Sequence, residues 1–335
     1  MRMKLIYIVN SISKTSIPWR WAKYFNKNSH KITIEMMSVK ELLGKISEIR
    51  NHIDIVHGHH IKAMALFLVA NIFLRKKSVY TVHGSYLFLS KTNASLLKFI
   101  FKYADKIIFV NKLLYDVLPS HMKILIRDKY EIILNGVETE YNYMKSDVYK
   151  KFNIDKNDII LFHPARFVPE KNHLRIIAVL KLLVEQNNKI KLVLAGDGKL
   201  KQEIEECIKD LKLEDNIIML GLIERDEVYN FLERCDLFLM PSVSEGLNIA
   251  FLEAISMHSR VLVSNIEQFV YPVESYGLNP DEINVTFVNP EDEEDIAHGI
   301  LSALEKEKNL TYDCSDFSLE TMMHKYEIVY SELLI

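Results

Sequence analysis

Short apolar runs alternate with helical patterns along the whole chain. The runs at 4–9, 31–36, 53–57, 78–81, 106–110 and 131–134 predict strands. The stretches 19–26, 39–51, 61–74, 94–103 and 112–119 between them predict helices. Nearly continuous apolar runs suit parallel strands buried on both faces. The polar stretch 138–158 has no clear period and reads as a linker. A second series starts at 159, with strands at 159–163, 190–195, 217–220, 237–240 and 261–264. Helices are expected at 172–186, 200–211, 225–234 and 249–257, and the acidic run 291–295 opens another. A last helix covers 317–334. Such alternation predicts α/β architecture with two doubly wound, mainly parallel-sheet domains of similar size.

Composition narrows the class. Half of the 335 residues are apolar, enough for a core in each of two domains. The longest apolar stretch, 63–74, is too short to span a bilayer and reads as a buried helix. No secretory signal is expected, and the scattered Cys207, Cys235 and Cys314 give neither metal spacing nor a disulfide framework. A cytoplasmic protein is the expectation. Net charge is only −3, but residues 1–150 hold 24 Lys+Arg against 11 Asp+Glu, whereas 151–335 hold 18 against 34. A split of this kind points to an anionic surface met by the first half. The basic residues form no recognised nucleic-acid module.

The chemistry collects at strand ends. Pro241 stops the run 237–240, and Ser-Val-Ser-Glu245-Gly-Leu-Asn248 follows as a turn, with Asn248 placed to cap the helix 249–257. That helix is apolar almost all round, with Glu253 as its one charge. A buried carboxylate is costly unless paired or hydrogen-bonded. Seven residues separate Glu245 from Glu253. Open α/β sheets bind ligands at this edge, and a helix start favours an anion. A phosphate at the helix start, with hydroxyls on two carboxylates, is the implied site. The loop Ala165-Arg-Phe-Val-Pro-Glu-Lys171 follows another strand. Arg166 offers a fork and Lys171 a point charge for a diphosphate. Ala195-Gly-Asp-Gly198 is a tight turn that lets backbone approach a nucleotide, but it lacks the third glycine of a dinucleotide fingerprint. His83 precedes Gly84 after a strand; His57, His59 and His60 cluster after another. Imidazoles can bind zinc, yet no carboxylate or cysteine completes a set, so no metal is expected. No strand-ending Asp-x-Asp is present to hold a divalent ion.

In order and spacing these pieces resemble the retaining glycosyltransferases of family 4, also called glycosyl transferases group 1. The matching stretches are Ala165–Lys171, Ala195-Gly-Asp-Gly198, Met219-Leu-Gly221 and Pro241–Ala254, together with Asp54–His59, Thr81-Val-His-Gly84 and Asn135-Gly-Val137. The resemblance implies GT-B architecture, two Rossmann-like domains facing across a cleft. It implies that Arg166 and Lys171 bind the donor diphosphate and stabilise it as leaving group, and that Glu253 binds the ribose hydroxyls. Glu245 and the backbone of Gly246, Leu247, Asn248 and Ile249 would touch sugar and phosphate, with Gly196 and Leu220 near the nucleotide. His83 would approach the sugar from the opposite domain, completing a catalytic set with Glu245, Arg166 and Lys171. Asn10, Ser11, His59 and Asn135 would line the acceptor side. Transfer with retention needs no metal or cofactor, and the departing phosphate oxygen helps deprotonate the acceptor hydroxyl. The chain departs from the pattern in three places. The first loop, Asn10-Ser-Ile-Ser-Lys-Thr-Ser-Ile-Pro18, lacks a glycine pair; Asn248 replaces a glycine; His258 and Arg260 stand where Gly and Pro are frequent.

The implied activity moves a hexosyl or N-acetylhexosaminyl group, expected on UDP, to a hydroxyl of a saccharide or lipid-linked saccharide in surface polysaccharide or glycoconjugate assembly. Residues 1–150 would bind the acceptor and 151–315 the donor, with 316–335 packing back on the first domain. A catalytically silent binding subunit and a nucleotide-sugar epimerase of the same fold stay open. The basic, aromatic stretch 95–106 and Arg75-Lys-Lys77 suit anionic headgroups, which favours a polyprenyl-diphosphate-linked acceptor and peripheral attachment to the inner membrane face. Leu96, Phe99, Ile100 and Tyr103 are then expected to form that helix's core face.

Overall fold

The computed structural model describes residues 2–13, 16–42, 44–139, 141, 143–245 and 249–335. The chain divides into two units, Met1–Gly136 with Phe317–Ile335, and Val137–Asp316. Each is built on a six-stranded, wholly parallel sheet. The first sheet holds β1 (Met3–Val9), β2 (Ile32–Ser38), β3 (Ile55–Gly58), β4 (Lys77–Val82), β5 (Lys106–Phe109) and β6 (Tyr130–Ile132), in the order β2-β1-β3-β4-β5-β6. The second holds β7 (Ile159–Pro164), β8 (Ile190–Ala195), β9 (Ile217–Gly221), β10 (Leu237–Met240), β11 (Val261–Ser264) and β12 (Val285–Val288), in the order β12-β11-β10-β7-β8-β9. The order in which strands are added reverses between β1 and β3 in one sheet and between β7 and β10 in the other. Crevices for ligands open at such switch points, outside the strands' carboxyl ends.

The central strands read as apolar runs because helices cover both faces. Leu5–Val9 and Ile160–Phe162 are all at most 1% exposed. Each fully buried apolar side chain is worth roughly 1.5–3 kcal/mol. The last helix, Leu319–Leu333, belongs to the first unit. Ser318 caps it through Thr321 N at 3.0 Å. Its Tyr326 and Tyr330 are fully buried. The chain crosses its start so closely at Gly136 that a Cβ there would lie 2.4 Å from the Ser318 carbonyl oxygen.

Several elements differ from expectation. The first unit ends at Gly136, because the described residues that follow it, through Lys151, belong to the second unit. Lys145 pairs with Glu233 at 2.6 Å, Ser146 N donates to Asn230 Oδ1 at 2.9 Å, and the short helix Val148–Lys151 is capped by Asp147. The stretch 39–51 breaks into Val39–Leu42 and Ile46–His52, and 112–119 yields Lys112–Asp116 and Ser120–Ile124. β12 and the helix Glu267–Ser275, with Pro272 inside it, were not anticipated. On the helix Lys91–Tyr103 Ile100 is buried as expected and Leu96 and Phe99 pack partly buried against the core, but Leu97 and Phe101 join the buried face and Tyr103 is exposed. The helix Ile61–Leu74, expected to be buried, is buried on one side only.

Candidate active site

In the second unit, two loops meet at the switch point. Leaving β7, the chain laces onto the turn after β8: Ala165 N donates to Ala195 O at 3.0 Å, and Phe167 N to Asp197 O at 3.0 Å. The two glycines of Gly196-Asp-Gly198 permit this. A Cβ on Gly196 would lie 2.0 Å from Ala165 O, and one on Gly198 would lie 2.5 Å from Phe167 O. The turn therefore braces the Arg166 loop with backbone, a demand that accounts for two glycines without a dinucleotide. Ala165 and Phe167 are buried, so Arg166 between them is left exposed. Among the described residues it has no ion pair.

The 3-10 turn Pro169–Lys171 ends at Asn172, which takes a left-handed φ of 63°. Its side-chain amide donates to the carbonyls of Pro241 (3.0 Å) and Pro290 (2.7 Å), anchoring the turn to the β10 loop. Val243 N donates to Glu170 O at 3.0 Å. Lys171 is thus carried onto Glu245, and the two form an ion pair whose side chains are 16% and 5% exposed. Ser242 Oγ donates to the same carboxylate oxygen at 2.7 Å. A sheltered carboxylate is tolerable here because a cation and a hydroxyl both answer it.

Two histidines lie beneath this pair. His163 Nδ1 donates to Leu239 O at 2.7 Å, and its ring centroid is 4.5 Å from that of His173. Burial drives His163 down to about 4 and His173 down to about 2. Both are neutral at pH 7, so they add no positive charge under Lys171.

Glu253 is 4% exposed on the helix Ile249–Ser256. Arg225 Nη2 forms an ion pair with its Oε1, and Tyr229 OH approaches the same oxygen at 3.5 Å. Arg225 also donates to Tyr229 OH, and its guanidinium sits 5.1 Å from the Tyr229 ring centroid. Sequence reading missed Arg225. Its signal was an Arg and a Tyr one helical turn apart on the helix Arg225–Arg234. Leu220, partly buried, stands near the end of β9, and Gly221 at φ 66° accepts from Gly196 N at 2.8 Å. Gly246, Leu247 and Asn248 lie outside the described residues; Ile249 is the first residue of its helix. His258, standing where glycine is frequent, has φ 54°, the left-handed backbone glycine adopts without strain.

In the first unit, the expected residues also sit at carboxyl ends of strands. Asn10 and Ser11 are exposed directly after β1, and Asn135 is 5% exposed beside Gly136. His57 on β3 is bonded at both ring nitrogens, to Tyr330 OH and to Thr81 Oγ1, each at 2.7 Å. Its ring stacks on His59 at 4.3 Å, and His59 Nδ1 lies 3.0 Å from His83 Nε2. Burial holds His57 and His59 well below 6.5 and takes His83 down to about 3. The cluster is a set of neutral, hydrogen-bonded rings tied to the last helix.

Comparison with known proteins bears on what these sites belong to. The profile of glycosyl transferases group 1 matches residues 144–316, and that of glycosyltransferase family 4 matches 18–141. The chain belongs to the glycosyl transferases of group 1. It is a glycosyltransferase of GT-B architecture. The O-antigen biosynthesis glycosyltransferase WclY of Escherichia coli is 27% identical over 285 residues, covering 79% of this chain and 77% of WclY. The E. coli UDP-Gal:alpha-D-GlcNAc-diphosphoundecaprenol alpha-1,3-galactosyltransferase is 31% identical, covering 64% of this chain and 58% of that enzyme. Among solved structures, Anabaena HepE in complex with UDP aligns with a TM-score of 0.78 at 16% identity, covering 98% of this chain and 100% of HepE. A glycosyltransferase from Rickettsia africae aligns at 0.76 with 20% identity, over 99% of each chain. At these identities the structural likeness concerns the group 1 fold.

Proposed function

We propose that this group 1 glycosyltransferase moves a hexosyl or N-acetylhexosaminyl group from a UDP-sugar, with retention and without a metal, to a hydroxyl of a saccharide or lipid-linked saccharide in surface polysaccharide assembly. The observation that carries the proposal is the Lys171–Glu245 pair at the switch point of the second sheet, beside the exposed Arg166. A diphosphate entering there meets Arg166 as a fork and Lys171 as a point charge already held in place. Glu245, anchored by Ser242 and Lys171, keeps an acceptor oxygen in position for sugar hydroxyls. Glu253, held by Arg225 and Tyr229, accepts from the ribose.

In the proposed step, the bond from the anomeric carbon to the diphosphate oxygen breaks. The acceptor oxygen bonds to the same face of that carbon, and its proton passes to the departing phosphate oxygen. Arg166 and Lys171 stabilise the charge that collects on the leaving group, and the second unit's task is positioning and electrostatics. Neutral His83 donates or accepts a hydrogen bond at the sugar without adding charge. The UDP donor draws support from the relative named for UDP-Gal, and the lipid-linked acceptor from that enzyme's diphosphoundecaprenol substrate. The basic first unit would meet the anionic inner face of the plasma membrane, where such acceptors are held, while the chain itself is cytoplasmic. Incubation with UDP-hexoses and UDP-N-acetylhexosamines, with saccharide and polyprenyl-diphosphate acceptors, tests the reading. A glycosylated α-linked product with release of UDP is expected. Conversion of one free nucleotide-sugar into another without acceptor would instead identify an epimerase, and an inverted product would overturn retention.

A further inference from the structure

The helix Ile61–Leu74 carries two apolar faces. Ala63, Met64, Phe67 and Leu68 point into the first unit's core. Leu66, Val69, Ile72 and Phe73 are 37%, 54%, 68% and 82% exposed. At 3.6 residues per turn, positions 62, 66, 69 and 73 fall on one line, so the exposed side chains form a stripe rather than scattered points. A folded soluble unit seldom leaves a contiguous apolar strip uncovered without a use for it.

The surroundings say what covers it. Lys62 stands at one end of the stripe, and Arg75 and Lys77, both exposed, stand at the other. The helix Lys91–Tyr103 packs alongside. Its Lys91, Lys98 and Lys102 are exposed, and Tyr103 is 54% exposed with the Lys102 ammonium 5.0 Å from its ring centroid. Between Asp54 and Asp105 the sequence holds no Asp or Glu. An apolar strip flanked by lysines along the helix Lys91–Tyr103 and at both of its own ends, with an amphipathic tyrosine at the edge, matches a bilayer interface: hydrocarbon below, anionic headgroups around. The opposite flank, Val39–Leu42 and Ile46–His52, is mixed, with Glu41 and Glu48 beside Lys40, Lys45 and Arg50. Among the described residues no helix is long and apolar enough to cross a membrane, so the contact is one that lies on the surface.

We propose that the exposed face of Ile61–Leu74, with the flanking lysines of Lys91–Tyr103, docks the protein on an anionic phospholipid bilayer. The inference deepens the membrane part of the proposed function and rests on it, giving that reading a defined surface. It predicts that the stripe inserts at the headgroup–acyl boundary while the lysines sit at phosphate level.

Flotation of the full chain with phosphatidylcholine vesicles, with and without phosphatidylglycerol, tests it. The wild type should float with phosphatidylglycerol vesicles and release as salt rises. Ile72→Ser with Phe73→Ser should weaken partition about tenfold or more, since both side chains leave the acyl boundary. Lys98→Glu with Lys102→Glu should weaken it on the order of tenfold on anionic vesicles alone. All four positions are exposed, so folding is not at stake, and retained stabilisation by UDP in both variants keeps a failure of docking separate from a failure of the donor site. Absence of wild-type binding, or equal binding by the Ser variant, overturns the proposal. So does a dimer that the Ser substitutions dissociate while the wild type ignores vesicles, which would make a second copy the occupant.

Discussion

At the scale of the residue, the proposed donor site is decided by which charges are already paired before any ligand arrives. Lys171 and Glu245 hold each other under cover, whereas Arg166 projects into solvent. The pair therefore has a structural duty besides the chemical one proposed for it. Replacing Lys171 with Ala strands a 5%-exposed carboxylate, and a loss of roughly 2–4 kcal/mol in urea unfolding is expected. Adding Glu245→Gln should recover part of that loss, since no buried charge is left alone, but should not restore turnover. A double variant as unstable as the sum of the singles would argue that the two side chains do not interact. Glu253 carries the same lesson. From sequence it was a lone buried charge; Arg225 and Tyr229, from a different helix, answer it. No spacing rule reveals a partner that long-range packing supplies.

At the scale of elements, four of the sheltered histidines lie at or just past strand ends, and His173 opens the helix His173–Gln186. His57, His59, His163 and His173 are buried and His83 is half-buried, and desolvation favours the neutral ring in each. The unfolded chain takes up protons near pH 6.5, but the folded rings resist until about pH 4 for His163 and about 3 for His83. Their stabilising contribution is thus complete above pH 6.5 and is lost as pH falls below it. Each ring adds a slope of about 1.4 kcal/mol per pH unit. Urea midpoints between pH 7 and 5, above most carboxylate titration, should fall steeply. His173→Phe, which packs against His163 and Phe167, should flatten the slope by up to one proton's worth. An unchanged slope would contradict neutral burial of this ring.

The elements also mark what was readable in advance. Strands such as Leu5–Val9 announce themselves because a parallel strand covered on both faces is apolar throughout. β12 hides because Val285-Thr-Phe-Val288 is four residues long and sits at the sheet's edge. The two-sided helix Ile61–Leu74 could not be read as exposed. With apolar residues all round it has no polar face to betray which side meets water, and only the placement of its neighbours decides.

At the scale of the molecule, motif order and strand order agree. The loops carrying Arg166, Lys171 and Glu245 come from β7 and β10, distant in sequence and adjacent at the reversal of the second sheet. Likewise, β1, β3 and β4 bring Asn10, His57, His59 and His83 to one edge of the first sheet. Charge follows the same division: cations gather in the first unit, where lipid docking is inferred, and the second is acidic overall outside its cationic loop. The measurement that bears most directly on the donor site is the melting transition with and without UDP, in the wild type and in Arg166→Ala. UDP at about one hundred times its dissociation constant should stabilise the wild type by ~2.7 kcal/mol. Because Arg166 is exposed, its replacement should leave the ligand-free melting point in place and remove most of the UDP shift. A wild type that UDP does not move, or an Arg166→Ala variant that keeps the full shift, would contradict the donor site described above.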